Sequence, residues 1–167
     1  MTWVKICATT NLLDGQASAA TGANALGFIF APSTRRIDVE TAAKIIAALP
    51  AGIEKIGVFV NETPEGVAEI ADEVGLTGVQ LHGDEPAAQL PAYRRMLGGR
   101  KLIKTLHARE LLANGGSGVL QAYLDAQENL DAVLLIRVFR AAAVGRERRL
   151  TGKPRCRWCR KSGPSCR

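Results

Sequence analysis

Along residues 1 to 135, short apolar or β-branched runs recur at intervals of about 20 to 30 residues: Val4 to Cys7, Ala25 to Phe30, Lys55 to Val60, Gly78 to His82, Leu102 to Leu106 and Ala132 to Leu135. Each has the length of a strand. Between them apolar positions fall at i, i+3, i+4 and i+7, as in Val39, Ala42, Ala43, Ile46 and in Val67, Ile70, Ala71, Val74, which is one stripe down a helix. Thr63 before Pro64 predicts an N-cap with proline in the first turn, and Gly22, Gly75 and Gly98 fall where left-handed helix ends are expected. The last helical segment, Leu111 to Gln127, is interrupted by Asn114-Gly115-Gly116-Ser117-Gly118 and is expected to start near Val119.

Six alternations of strand and helix predict parallel strands joined by right-handed crossovers, in a closed β/α barrel or an open doubly wound sheet. Side-chain parity chooses between them. Val4 and Ile6 share one face of the first strand while Lys5 and Cys7 share the other; in the fourth, Val79 and Leu81 oppose Gln80 and His82. An open sheet buried on both faces tolerates polar residues poorly, whereas a barrel can aim Lys5, Cys7, Gln80, His82 and Lys104 inward or toward its mouth. The barrel is therefore the expected fold. Cys7-Ala8-Thr9-Thr10 after the first strand also lacks the glycines of a dinucleotide-binding turn.

Charge changes the picture of the whole chain. The formal net charge is +6, but residues 1 to 135 carry 11 Lys+Arg against 15 Asp+Glu, whereas residues 136 to 167 carry 11 basic residues, nine of them Arg, against Glu147 alone. Cysteine divides likewise, with Cys7 in the long segment and Cys156, Cys159 and Cys166 in the short one. Two parts follow: a β/α domain over 1–135 and a basic Arg/Cys-rich tail over 136–167, expected to be disordered or out of frame. No run approaches the roughly 20 apolar residues of a membrane span, and Met1-Thr2-Trp3-Val4-Lys5 does not open a secretion signal, so a cytoplasmic protein with no membrane partner is expected.

Barrel enzymes place their chemistry at the carboxyl ends of the strands. Cys7 ends the first strand and is either a small buried hydrophobe or a thiol able to move a proton. Arg36, in the loop after the second strand, is either a solvated side chain or a guanidinium that forks onto a carboxylate. Gln80-Leu81-His82-Gly83-Asp84-Glu85 is either a plain turn or a polar wall, in which Gln80, His82 and Asp84 would contact a ligand.

Lys5-Ile6-Cys7-x-x-Thr10-Asn11, Ala25-Leu26-Gly27-Phe28-Ile29-Phe30-x-Pro32, Gly57-Val58-Phe59-Val60-Asn61 and Gln80-Leu81-His82-Gly83-Asp84-Glu85, in this order and spacing, resemble the phosphoribosylanthranilate isomerase family of tryptophan biosynthesis. The resemblance implies a (β/α)8 TIM barrel, here with about six units recognisable, and no metal or organic cofactor. It implies an Amadori rearrangement of a small phosphosugar substrate, N-(5-phosphoribosyl)anthranilate, to the 1-deoxyribulose phosphate. By position it makes Cys7 the general base and Arg36 the anchor for the anthranilate carboxylate. Ala8 departs from the pattern, where glycine is more usual.

The resemblance stops near Leu135. The family's general acid, an aspartate just after the sixth strand, is met here by Ile136-Arg137, and neither a Gly-Gly-Thr-Gly-like loop nor two further strands with a phosphate site can be read beyond it. Three readings of the tail stand: a metal or redox element at Cys156-x-x-Cys159, which lacks a fourth ligand; an arginine-rich arm for nucleic acid or another polyanion; and a shifted reading frame, which GC-rich codons would fill with Arg, Ala, Gly and Pro. The frame shift is the reading adopted. It makes the chain an isomerase by descent, inactive as written, with nucleic acid not expected as a partner; a non-catalytic polyanion-binding protein is the alternative. The residue pattern carries no signal for an oligomeric state.

Overall fold

Six strands, all parallel, pair in the order in which they occur along the chain: β1 Lys5–Cys7, β2 Ala25–Ile29, β3 Glu54–Phe59, β4 Gly78–Leu81, β5 Lys101–His107 and β6 Ala132–Ile136. A doubly wound sheet reverses its order at a switch point, so an unbroken order belongs to barrel-type winding. The sheet curls, because residues of β1 and β6 line one cleft with Gln80 of β4. A computed structural model describes residues 2–108, 111 and 117–136.

Helices alternate with the strands: α1 Leu12–Ala20, α2 Val39–Ala47, α3 Pro64–Val74, α4 Leu90–Leu97 and α5 Ser117–Asp125, with short 3-10 turns at Ala87–Gln89 and Gln127–Asn129. Side chains start the first three. Asn11 Oδ1 accepts from Asp14 N–H at 2.9 Å, Asp38 Oδ1 from Thr41 N–H at 2.8 Å and Thr63 Oγ1 from Gly66 N–H at 3.1 Å, with Pro64 in the first turn of α3 as anticipated. Gly22, Gly75 and Gly98 all have positive φ, at 91°, 76° and 58°. The helix expected near Val119 begins at Ser117. Strand β6 runs to Ile136, one residue past the charge boundary at Leu135. Among the described residues no helix is long and apolar enough to cross a membrane.

The core lies between the outer face of the sheet and the helices. Leu26, Phe28, Phe59, Val79, Leu81, Leu102 and Leu106 pack against Ile45 and Ile46 of α2, Val67, Ala71 and Val74 of α3, and Leu90, Tyr93 and Leu97 of α4. Each fully buried large apolar side chain contributes roughly 1.5 to 3 kcal/mol, so this layer carries most of the stability. The inner face holds a much smaller apolar cluster of Ala25, Ile56 and Ile103. Arg94 of α4 braces the last two strands from outside: it donates to Asn129 O at 2.8 Å and pairs with Asp131 at 2.6 Å, while Asp131 accepts from Leu102 N–H of β5. The edge strands carry much of the exposed apolar surface, at Trp3, Val4 and Ile6 near β1 and at Val133, Leu134 and Leu135 of β6.

Ala8 leaves β1 with φ of 70°. That is the left-handed region, where an L side chain costs about 1 to 2 kcal/mol. Glycine removes that strain but gains about 0.4 to 1 kcal/mol of freedom in the unfolded chain. Ala8→Gly is therefore expected to stabilise the chain by about 0.5 to 1 kcal/mol. A urea midpoint that stays fixed or falls would contradict this.

Candidate active site

Strand alternation and register decide which side chains meet inside the curl. Cys7 pairs with Gly27, Gln80 with Ile103, and His107 with Ile136, so Lys5, Cys7, Gln80, Ile103, Thr105 and His107 share the inner face, with His82 one residue beyond β4. Lys5, Cys7, Gln80 and His82 line a cleft of about 510 Å3, closed on its apolar side by Ile103 and Leu134. Cys7 is a free, exposed thiol. A Cβ on Gly27 would lie 2.8 Å from both Cys7 Sγ and Lys5 Nζ, so the missing side chain is what lets both groups lean across β2.

Gln80 is 3% exposed and its amide nitrogen lies 2.9 Å from His82 Nδ1 and 3.0 Å from Thr105 Oγ1. The His82 ring meets the His107 ring edge to face at 5.7 Å. Burial, and then the nearby positive charges of His107, Lys104 and Lys5, hold His82 below the ordinary imidazole range, with Glu85 acting the other way. Two buried polar atoms on this face, Gln80 Oε1 and His107 Nδ1, have no hydrogen-bond partner among the described residues.

Lys104 does not point into the cleft, contrary to expectation. It alternates with Ile103 and Thr105 and lies on the outer face, where Nζ pairs with Glu85 Oε2 at 2.8 Å and donates to Gly83 O at 2.6 Å. Both side chains are 1% exposed. The other carboxylate oxygen of Glu85 accepts from Asn61 N–H at 2.8 Å and Gly83 N–H at 3.1 Å, and Tyr123 of α5 donates to Glu85 O at 2.6 Å. A buried pair whose ammonium and carboxylate both make further hydrogen bonds is the arrangement that offsets the desolvation cost. It ties the loops after β3 and β4 to β5 and α5.

Of the five residues singled out from sequence, Cys7, Gln80 and His82 come together. Arg36 is exposed and lines a different recess of about 440 Å3 with Pro32, Asp38 and Phe59, at the carboxyl end of β2. Asp84 is also exposed; its backbone N–H donates to Asn61 Oδ1, and its side chain borders a third recess with Asn61, Gln89 and Tyr93. Thr105, His107 and Glu85 were not singled out. Period-2 alternation from Ile103 would have found Thr105 and His107, and Glu85 stood unremarked beside Asp84.

An unbroken parallel sheet with polar side chains gathered toward the carboxyl ends of its strands is the frame of a β/α-barrel enzyme. Residues 4–128 match the model of the N-(5'-phosphoribosyl)anthranilate (PRA) isomerase family, and the chain belongs to that family. An N-(5'-phosphoribosyl)anthranilate isomerase of Bacillus cereus strain B4264 is 53% identical over 87 residues, which are 52% of this chain and 43% of that protein. That of Rubrobacter xylanophilus is 44% identical over 111 residues, 66% of this chain and 53% of that protein. The chain thus spans about half the length of the curated relatives it matches. Among solved structures, phosphoribosyl anthranilate isomerase from Thermotoga maritima superposes with a TM-score of 0.69 at 35% identity, covering 84% of this chain and 64% of that one. Another, in complex with reduced 1-(o-carboxyphenylamino)-1-deoxyribulose 5-phosphate, gives 0.62 at 33% identity over 83% and 77% of the two chains.

Removing one member of the Lys104–Glu85 pair strands a buried charge, at a cost of about 3 to 5 kcal/mol. Lys104→Met should therefore lower the urea stability by that amount, and Lys104→Met with Glu85→Gln should recover part of it; a cost below about 1 kcal/mol for the single change would show the pair to be solvated. His82 supplies a pH dependence of known sign. Its folded pKa lies below the unfolded value of about 6.5, so the unfolded chain binds more protons and stability falls as pH drops below that value. His82→Asn should flatten the decline between about pH 7 and pH 5. An unchanged slope would remove the effect.

Proposed function

We propose that this chain carries the base and substrate-binding half of an isomerase that converts N-(5-phosphoribosyl)anthranilate to 1-(2-carboxyphenylamino)-1-deoxyribulose 5-phosphate in tryptophan biosynthesis. The observation that carries this reading is an exposed thiol ending β1 and sharing one cleft with Gln80 and His82, in a chain of this family. In the rearrangement an acid protonates the ribose ring oxygen, the ring opens to an iminium, and a base removes the C2 proton to give an enolamine that relaxes to the ketone. Cys7 is the base. Arg36 holds the anthranilate carboxylate from its recess at the carboxyl end of β2, leaving the sugar to the cleft; Gln80 and His82 form the polar wall of that cleft, and Asp84 takes part from the neighbouring recess it shares with Asn61. The reaction needs no metal or organic cofactor.

A proton donor after the sixth strand is one part this chain lacks, since β6 ends at Ile136 and Arg137 follows it in the sequence. On this reading residues 1–135 are the barrel domain, residues 136–167 are a basic segment read out of frame, and the chain as written is inactive. Residues 137–167 lie outside the described structure, as do the readings of Cys156, Cys159 and the arginines.

Turnover of N-(5-phosphoribosyl)anthranilate by the purified chain tests this. No rate above the uncatalysed one is expected; after restoring the frame across the Leu135 codon to yield an aspartate and two further strands, turnover should appear and fall by about 10²- to 10⁴-fold in Cys7→Ala. Full activity in the chain as written would overturn the inactive reading, and activity insensitive to Cys7→Ala would overturn the base. The alternative, a polyanion-binding protein working through the +10 of residues 136–167, requires duplex DNA binding whose affinity falls steeply with salt.

A further inference from the structure

We infer that Gln80 locks His82 as the tautomer protonated on Nε2, and that His82 acts as a neutral hydrogen-bond donor to a sugar oxygen in the cleft, while Gln80 Oε1 accepts from a neighbouring sugar hydroxyl. This deepens, and rests on, the isomerase reading.

The geometry begins with the amide. Gln80 nitrogen faces His82 Nδ1 and Thr105 Oγ1, and an amide nitrogen only donates, so Nδ1 must be the acceptor and Nε2 the proton-bearing atom. Turning the amide over would place two N–H donors where Oε1 now stands without a partner. Buried orphan N–H groups are rarer than under-satisfied carbonyls, so the orientation with Oε1 free is the favoured one. Thr105, 1% exposed on the neighbouring strand, anchors the second amide hydrogen and stops the amide from rotating.

The surroundings keep the ring neutral. His107, Thr105 and Lys104 belong to β5, Lys5 and Cys7 to β1, and Glu85 follows His82 on its own loop; of the ionisable neighbours that act on the ring, only Glu85 favours a positive charge. A neutral imidazole of fixed tautomer polarises an oxygen without giving up its proton, a role known for histidines in other barrel enzymes. With Nε2–H as donor and Oε1, nine-tenths buried, as acceptor, the Gln80–His82 pair presents one of each. Adjacent oxygens of a ribosyl group, one accepting and one donating, complement that pattern; a phosphate, which only accepts, does not.

The chain has two histidines, so nitrogen-15 spectra of the full chain with His82→Gln for assignment isolate the ring. At pH 7.5 His82 is expected to be neutral and protonated on Nε2, with Gln80→Leu giving a mixture of tautomers; if that variant does not fold, Thr105→Val, which frees the amide, serves in its place. An Nδ1-protonated or charged ring in the parent chain would overturn the inference. Reduced 1-(o-carboxyphenylamino)-1-deoxyribulose 5-phosphate is the binding probe. It should shift His82 Nε2, bind about tenfold more weakly to His82→Phe, and regain most of that in His82→Gln, which restores an N–H donor. Equal binding to His82→Phe would overturn the donor role. If the parent chain does not bind the probe, the donor role falls, while the isomerase reading stands or falls on the turnover of the frame-restored chain; a lost tautomer with intact binding overturns the inference alone.

Discussion

The arrangement of the carboxyl rim depends on one buried ion pair. Lys104 and Glu85 meet on the outer face of the sheet, out of water, and Glu85 spends its second oxygen on the backbone of Asn61 and Gly83. Because a carboxylate stripped of its ammonium would be intolerable there, the loops after β3 and β4 are fixed relative to β5 whenever the protein is folded. His82 sits one residue before Gly83, so the wall of the cleft inherits that fixity. Tyr123 reaches in from α5 and joins the last described helix to the same anchor.

The two faces of the sheet divide the labour. The outer face is mostly apolar and, from β2 to β5, packed under helices; that pair and Lys55, which donates to Pro50 O, are its buried charges. The inner face trades most of its apolar contact for Lys5, Cys7, Gln80, Thr105, His82 and His107, keeping Ala25, Ile56 and Ile103 as a small seal. Stability is thus generated on the side away from the polar cleft. The match to the isomerase model runs through all the strands up to β5 and stops just short of β6.

Much of the fold was legible in the residues. All six strands were visible as short apolar runs: β2 to β5 because strands buried under helices have to be apolar, β1 and β6 through apolar residues that stay exposed at the edges, and the helices α2 and α3 were visible because they are amphipathic. Thr63-Pro64 and the three positive-φ glycines marked boundaries for reasons of local sterics. Parity placed Lys5, Cys7, Gln80 and His82 on the inner face. It failed at Lys104, where alternation had to be counted from Ile103 rather than inferred from polarity: a lysine on an outer face is foreseeable only if its carboxylate partner is known, and Glu85 lies on another element 19 residues away. Arg36 and Asp84 are loop residues, whose positions are set by turns that no periodicity encodes.

Gly27 has a wider meaning than its size. The thiol and the ammonium of β1 both occupy the hollow left by its absent side chain, on a strand to which neither belongs. Even a methyl group there would push the sulfur and the nitrogen apart or out toward solvent. The aim of the sulfur is consequently encoded on β2, and a search for what positions Cys7 that looks only along its own strand would overlook the residue that decides where it points.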